Sequence, residues 1–282
     1  MFIRAEKTNT SIKLGVTGPS GSGKSYSALR LARGLVGPSG KIAVIDTENG
    51  SAKLYSDLTE FYHLDLHAPY EYQKFMEAIK EAEASGFDAI VIDSLSHLWQ
   101  GILEEKNSID RRGGNQYTNW TEPTKHLNET LYTILQSNIH VIACMRVKTE
   151  YVIQEETNQK GKTVSVPKKV GLSPIMRDGI EYEFTSMFEV GMDHNATTSK
   201  DRTGLFVDRV FQIDEGTGER IACWLAGMSD TTETERFVSM IHSADSKDTL
   251  SVIGAKIKES TLPEQEKGLI REVYRKKYSS LA

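Results

Sequence analysis

Gly18-Pro-Ser-Gly-Ser-Gly-Lys24-Ser25 is the stretch that decides the reading of this chain. It fits the spacing G-x-x-x-x-G-K-[ST] at every constrained position, which predicts a nucleoside-triphosphate site. Gly18, Gly21 and Gly23 let successive backbone N–H groups turn inward around a phosphate. Pro19, Ser20, Ser22 and Tyr26 complete the expected phosphate-binding stretch. Lys24 puts a point charge on the β- and γ-phosphates, and Ser25 offers a hydroxyl to Mg²⁺. The flanks agree with this reading. Residues 12–17 (Ile-Lys-Leu-Gly-Val-Thr) are short, apolar-rich and β-branched, as a strand is. Residues 25–35 read as a helix with Ala28, Leu31, Ala32 and Leu35 on one face. That helix presents its positive N-terminal end to the bound anion.

Outward from the loop, strand-like runs recur. Residues 41–46 (Lys-Ile-Ala-Val-Ile-Asp) and 89–93 (Ala-Ile-Val-Ile-Asp) are apolar runs ending in aspartate, and residues 140–145 (His-Val-Ile-Ala-Cys-Met) form another. Runs apolar on both faces suit a parallel sheet covered by helices. Helical patterns at residues 70–85, 96–110 and 123–137 lie between them, which argues for a doubly wound α/β core. Ligands of such sheets bind at the carboxyl ends of the strands.

Beyond residue 150 the pattern changes. Val152-Ile-Gln and Thr163-Val-Ser-Val flank a polar stretch and predict a β-hairpin, an insertion at about residues 150–170. Further strands are expected at residues 182–192, 203–210 and 220–225, extending the sheet antiparallel. Residues 227–234 read as a linker, and amphipathic helices are expected at 233–243, 250–259 and 263–278. The expected organisation is a core over residues 1–228 and a small helical module over 229–282.

Length and composition bound the class. The chain has 282 residues, enough for one large α/β domain with an appendage. A formal net charge of -5 argues against wholesale coating of nucleic acid but allows a local basic channel. Cys144 and Cys223 each lie in an apolar run and read as core thiols in a reducing compartment. No run of about 18 apolar residues predicts a membrane span. Met1-Phe-Ile-Arg-Ala-Glu-Lys has no apolar core of a signal peptide, so a cytoplasmic location without membrane attachment is expected.

The chemistry-bearing positions follow from this frame. Asp93 ends a strand well after the phosphate loop, as a Walker B carboxylate does, and is expected to orient Mg²⁺, with Ser94 polarising its water. Glu48 lies just beyond the strand ending at Asp46 and is expected to orient an attacking water. Arg146 directly follows residues 140–145 and is expected to sense the γ-phosphate, with Lys148 nearby. Lys200 and Arg202 stand two apart before an expected strand, which aims both to one side and suits an arginine-finger pair serving a neighbouring subunit. Arg111, Arg112, Tyr117 and Trp120 sit in a basic, glycine-rich, aromatic stretch, which suits either single-stranded nucleic acid or a loop closing on the nucleotide. Lys160, Lys162, Lys168, Lys169 and Arg177 give the second half of the hairpin region a basic bias suited to DNA contact or simply to water. ATP is favoured over GTP because no N-K-x-D sequence follows the core strands; Thr124-Lys-His-Leu is the nearest approach.

Together, Gly18 to Ser25, Ile-Asp46-Thr-Glu48, Val-Ile-Asp93-Ser94 and Lys200-x-Arg202 resemble the RecA-type branch of P-loop ATPases. In that branch a glutamate two residues after such an aspartate is catalytic, which matches Glu48, and a late basic pair acts across the subunit interface, which matches Lys200 and Arg202. A closer resemblance rests on Asp93-Ser-Leu-Ser-His-Leu-Trp99, Gly114-Asn-x-Tyr-x-Asn-Trp120, Met145-Arg-Val-Lys-Thr-Glu-Tyr151, Arg177-Asp-Gly-Ile-Glu-Tyr-Glu-Phe184 and Ser199-Lys-Asp-Arg-Thr-Gly204. Over about residues 10–226 the chain looks like the phage-encoded AAA-type nucleotide-binding proteins, which include RecA-like single-strand annealing and recombination ATPases. The resemblance implies a RecA-like α/β core with a mainly parallel sheet, helices on both faces and an antiparallel extension. It also implies ATP and Mg²⁺ as cofactors, DNA-stimulated hydrolysis, single-stranded DNA as partner, a homo-oligomeric ring or short filament, and cooperation with a single-strand-binding protein. The last segment resembles helical modules of phage recombination proteins. A hexameric helicase-type motor and a nucleotide-switched loader or regulator with a protein partner are the rival expectations.

Overall fold

The computed structural model describes residues 10–157, 163–227 and most of 237–280. Four apolar runs line up in parallel at the centre of a mixed sheet: β1 (Lys13–Gly18), β2 (Ile42–Asp46), β4 (Ala89–Asp93) and the first part of β5 (His140–Thr157). With β3 (Tyr62–Asp65), β7 (Ser186–Val190) and β8 (Ala196–Asp201), the order is β3-β2-β4-β5-β1-β7-β8. All neighbours in that order run parallel except β7 and β8. β6 (Thr163–Pro174) pairs antiparallel with the outer part of β5 and forms the expected hairpin.

The strands alternate their side chains between two cores because successive residues face opposite sides of a sheet. Val44, Val91 and Ile142 point to one side, where α1 (Lys24–Val36) and α5 (Glu215–Leu225) lie. Ile45, Ile92 and Val141 point to the other, beneath α2 (Tyr72–Ala84), α3 (Ser96–Arg111) and α4 (Thr121–Gln136). Both faces are thereby covered, which explains why the strands read as continuous apolar runs. This is the mainly parallel α/β arrangement expected from the sequence, but its antiparallel extension is β8, where no strand was expected, whereas β7 pairs parallel with β1. The strand bearing Asp93 is separated from the phosphate-loop strand by β5.

Three local expectations fail, each for a physical reason. Residues 220–225 are helical, not extended. Asp214 caps α5 reciprocally with Thr217, and the helix lies tightly on α1. A Cβ added at Gly218 would sit 2.3 Å from the Leu31 carbonyl oxygen, so only glycine permits this approach. Residues 203–210 form turns instead of a strand, because the Asp201 carboxylate accepts from Thr203 N, Thr203 Oγ1 and Phe206 N and pulls the chain around itself. The strand expected from residue 182 begins only at Ser186, after a 3-10 turn over Ile180–Tyr182. β3 was not anticipated, since Tyr-His-Leu-Asp is a four-residue, largely exposed edge strand with no β-branched residue.

The chain divides into two compact units, Met1–Ala226 and Gly227–Ala282. The second has its own core of Phe237, Ile241, Leu250, Ile253, Ile257 and Ile270, built around α6 (Lys247–Glu259) and α7 (Glu264–Ser280). Most of the expected linker and of the helix at 233–243 lies outside the described residues.

Candidate active site

Register alone assembles the site. Asp46 is level with Asp93, Asp93 with Cys144, and Gly18 with Arg146. The carboxyl ends of β2, β4 and β1, level with the middle of β5, therefore bring the expected carboxylates and cations together beside the phosphate loop.

The loop leaves β1 at Gly18, whose Cα faces the Val190 carbonyl so closely that a Cβ would lie 2.6 Å from it. It ends at Gly23, which caps α1 in the left-handed region (φ 89°) without any side-chain cap bond. The first-turn N–H groups of α1 thus face the loop with no side chain of the cap to satisfy them, which is the donor set an anion takes. Lys24 Nζ reaches back 2.9 Å to the Pro19 carbonyl. Ser20 and Gly21 are exposed, whereas Ser22 is fully buried and its hydroxyl has no hydrogen-bond partner among the described residues. Tyr26 is exposed on the first turn of α1, edge-on to Tyr55 at 5.9 Å and beneath the Arg30 guanidinium.

Ser25 Oγ donates directly to the Asp93 carboxylate across the α1–β4 boundary. Two hard oxygen ligands of the type Mg²⁺ takes therefore stand side by side. Burial pushes the Asp93 carboxyl up to about 6, against the lowering pull of the Ser25 bond and with a further upward push from Glu48 and Asp46. Ser94 is buried, and its Oγ accepts from Ser96 N rather than facing the loop.

Glu48 is half-buried and holds Arg146 Nε at 2.8 Å. That bond raises Arg146 above its ordinary value. Asp46, expected at the strand end, and Thr47, Tyr70 and His97, given no role by the sequence, position this pair. Asp46 accepts from Glu48 N at 2.6 Å and Ala52 N at 2.9 Å, folding the chain after β2. Thr47 Oγ1 accepts from Ser94 N at 2.7 Å and lies 2.6 Å from His97 Nδ1. Tyr70 stacks on His97 at 4.5 Å and donates to the Thr47 carbonyl. Burial lowers His97, with Arg146 adding to the effect. In the sequence this network shows only as the Asp46-Thr-Glu48 strand end and the cluster Ser94-Leu-Ser-His97.

The remaining predicted residues fall elsewhere. Lys200 donates to the carbonyls of Glu181 and Tyr182, and Arg202 to that of Tyr182, so the spacing of two does put both cations on one side. Lys200 is level with Met187 and thus with Gly15, and Arg202 N bonds Thr185 O near Lys13. At about 3.3 Å per residue, they sit roughly 10–17 Å along the sheet from Gly18, toward the end away from the phosphate loop. Arg111, at the end of α3, and Arg112 and Tyr117 in the α3–α4 connection are exposed. Trp120 is half-buried, stacked on Trp99 at 5.9 Å with Lys106 over its ring, and so belongs partly to the α3–α4 packing. Lys160 and Lys162 lie outside the described residues, as do the side chains of Lys168 and Lys169.

A family model described as an AAA domain matches residues 10–223 of the chain. The chain belongs to the AAA-domain family. It is a nucleotide-binding P-loop ATPase of AAA type; ATPases of this kind use ATP and typically Mg²⁺. Among solved structures it is similar to a KaiC-like protein from the hyperthermophilic archaeon Pyrococcus horikoshii OT3, at 13% identity and a TM-score of 0.43, over 71% of this chain and 84% of that one. No curated protein matches this AAA-domain chain. Among its described residues, no helix is long and apolar enough to cross a membrane.

Proposed function

We propose that this AAA-domain protein hydrolyses ATP in response to single-stranded DNA, in phage recombination, annealing or replication. The observation that carries the ATPase half is the convergence of Lys24, the Ser25–Asp93 pair and the Glu48–Arg146 pair beside the phosphate loop. Lys24 and the N–H groups of the loop bind the triphosphate. Ser25 and Asp93 would hold Mg²⁺, which neutralises phosphate charge when bound. Glu48 accepts a proton from the attacking water, and Arg146, beside it, places positive charge where the γ-phosphate develops negative charge. Lys200 and Arg202, being remote from their own loop, act in a neighbouring subunit's site, which requires a homo-oligomer.

The DNA half is supported by exposed Arg111, Arg112 and Tyr117 and by the β5–β6 hairpin, an extension of the very strand that carries Arg146. Strain or ordering imposed on that hairpin reaches Arg146 directly, because Ile175, just beyond β6, donates to the Arg146 carbonyl at 2.7 Å. The test is steady-state ATP hydrolysis with and without single-stranded DNA, at low and moderate salt. Strong stimulation that weakens with salt supports the reading. Unchanged turnover with ATP still bound would replace it with a nucleotide-switched module acting on a protein partner.

A further inference from the structure

The β7–β8 connection, residues 191–195, lies against the phosphate loop, although nothing in the loop motif calls for it. His194 Nδ1 is 3.0 Å from the Ser22 carbonyl oxygen, 172 residues away in sequence. A carbonyl oxygen only accepts, so Nδ1 carries the hydrogen and donates it. Nearby, Met192 Cε would be 3.8 Å from a Cβ on Gly21, and His194 Nδ1 would be 3.4 Å from one on Gly23. The connection is itself stiff. Gly191 N donates to Asn195 O at 2.8 Å, His194 N donates to Gly191 O at 3.0 Å, and Asp193 accepts from Asn195 N and Nδ2. His194 sits in the left-handed region, φ 63°, which aims its ring at the loop.

The consequence follows from peptide geometry. The Ser22 carbonyl and the Gly23 N–H belong to one planar trans peptide unit, so they point in opposite directions. A donor that holds the Ser22 oxygen on the outer side turns the Gly23 N–H inward. The Ser22 hydroxyl, buried without a partner among the described residues, does not hold this peptide in place. We propose that His194 is a positioning residue for triphosphate binding: its Nδ1–H fixes the Ser22–Gly23 peptide so that the Gly23 N–H faces the phosphates. This deepens the nucleotide reading above and rests on it. His194 touches no reacting atom in this role, so the effect falls on binding and leaves the chemical step alone.

Two variants separate the bond from the backbone. His194→Gly tolerates the positive φ but removes the donor. His194→Asn also tolerates it, and its side-chain amide nitrogen stands, like Nδ1, one bond from Cγ, so it restores the donor. ATP affinity is measured by calorimetric titration, and KM and kcat by steady-state hydrolysis. H194G is expected to weaken ATP binding about three- to tenfold, the range for one lost neutral hydrogen bond, with kcat at saturating ATP within about twofold of wild type. H194N is expected to bind within about twofold of wild type. H194G binding as tightly as wild type, H194N binding as weakly as H194G, or a loss in kcat with KM unchanged would each overturn the proposal. A wild-type chain that binds no ATP would instead sink the nucleotide reading itself.

Discussion

Acidification should destabilise the larger unit through His140, at the start of β5. Its Nδ1 accepts the Ile12 N–H at 3.1 Å, which requires that nitrogen to be bare. Protonating the ring destroys the bond and places a cation beside the buried Lys13 ammonium. Burial first, and Lys13 second, lower His140 to about 4. The unfolded chain keeps the usual value of about 6.5. Between those two pH values the unfolded state binds a proton that the folded state refuses, so stability is full above about 6.5 and falls as pH drops toward 4. At about 1.36 kcal/mol per pH unit, the ceiling over that window is about 3 kcal/mol. The ring is only half-buried, and solvent screening brings the expected loss to about 1–2 kcal/mol. The assay is urea unfolding followed by tryptophan fluorescence, which reports this unit alone because Trp99, Trp120 and Trp224 all lie within it. The control is His140→Asn, whose carbonyl oxygen can accept the same N–H but does not titrate. Wild type should lose stability relative to H140N as pH falls through the window. Parallel losses in the two proteins would refute the assignment.

Other outcomes follow from the same geometry. Glu48→Gln should retain ATP binding yet lower turnover by about 10²–10⁴-fold, the usual worth of a general base; hydrolysis at the wild-type rate would remove Glu48 from the mechanism. Lys200→Ala should be inactive alone and regain turnover when mixed with Lys24→Ala, since each chain supplies what the other lacks at a shared site; absence of rescue in mixed oligomers would count against action in trans. Gly218→Ala should cost about 1–3 kcal/mol or more by forcing α5 off α1, read as a lower urea midpoint for the same tryptophan signal. Raising the pH should relieve the cost of burying Lys13, whose ammonium is lowered to about 8, so H140N should gain stability between about 8 and 10.5.

The phosphate loop, its strand and its helix were legible because the whole unit is local: eight residues specify the anion cradle, and the flanking apolar pattern specifies what holds it. The central strands were legible for a related reason, since burial on both faces leaves no polar alternation to misread. Legibility ended where chemistry competed with pattern. The run at residues 221–225 is apolar enough for a strand, but the Asp214–Thr217 cap and the glycine contact with α1 make it helical. Asp201 turned an expected strand into a ring of hydrogen bonds.

The sequence by itself determined that the chain carries a triphosphate loop in an α/β frame, and which residue types stand ready to serve it. Only the tertiary structure decided which of them meet. The Glu48–Arg146 pair spans 98 residues and the His194–Ser22 bond 172, and strand register alone sends Lys200 and Arg202 toward the other end of the sheet. A motif records the conformations its own backbone can reach. Contacts between distant segments depend on strand order and crossover, which arise only when both faces of the sheet are buried at once.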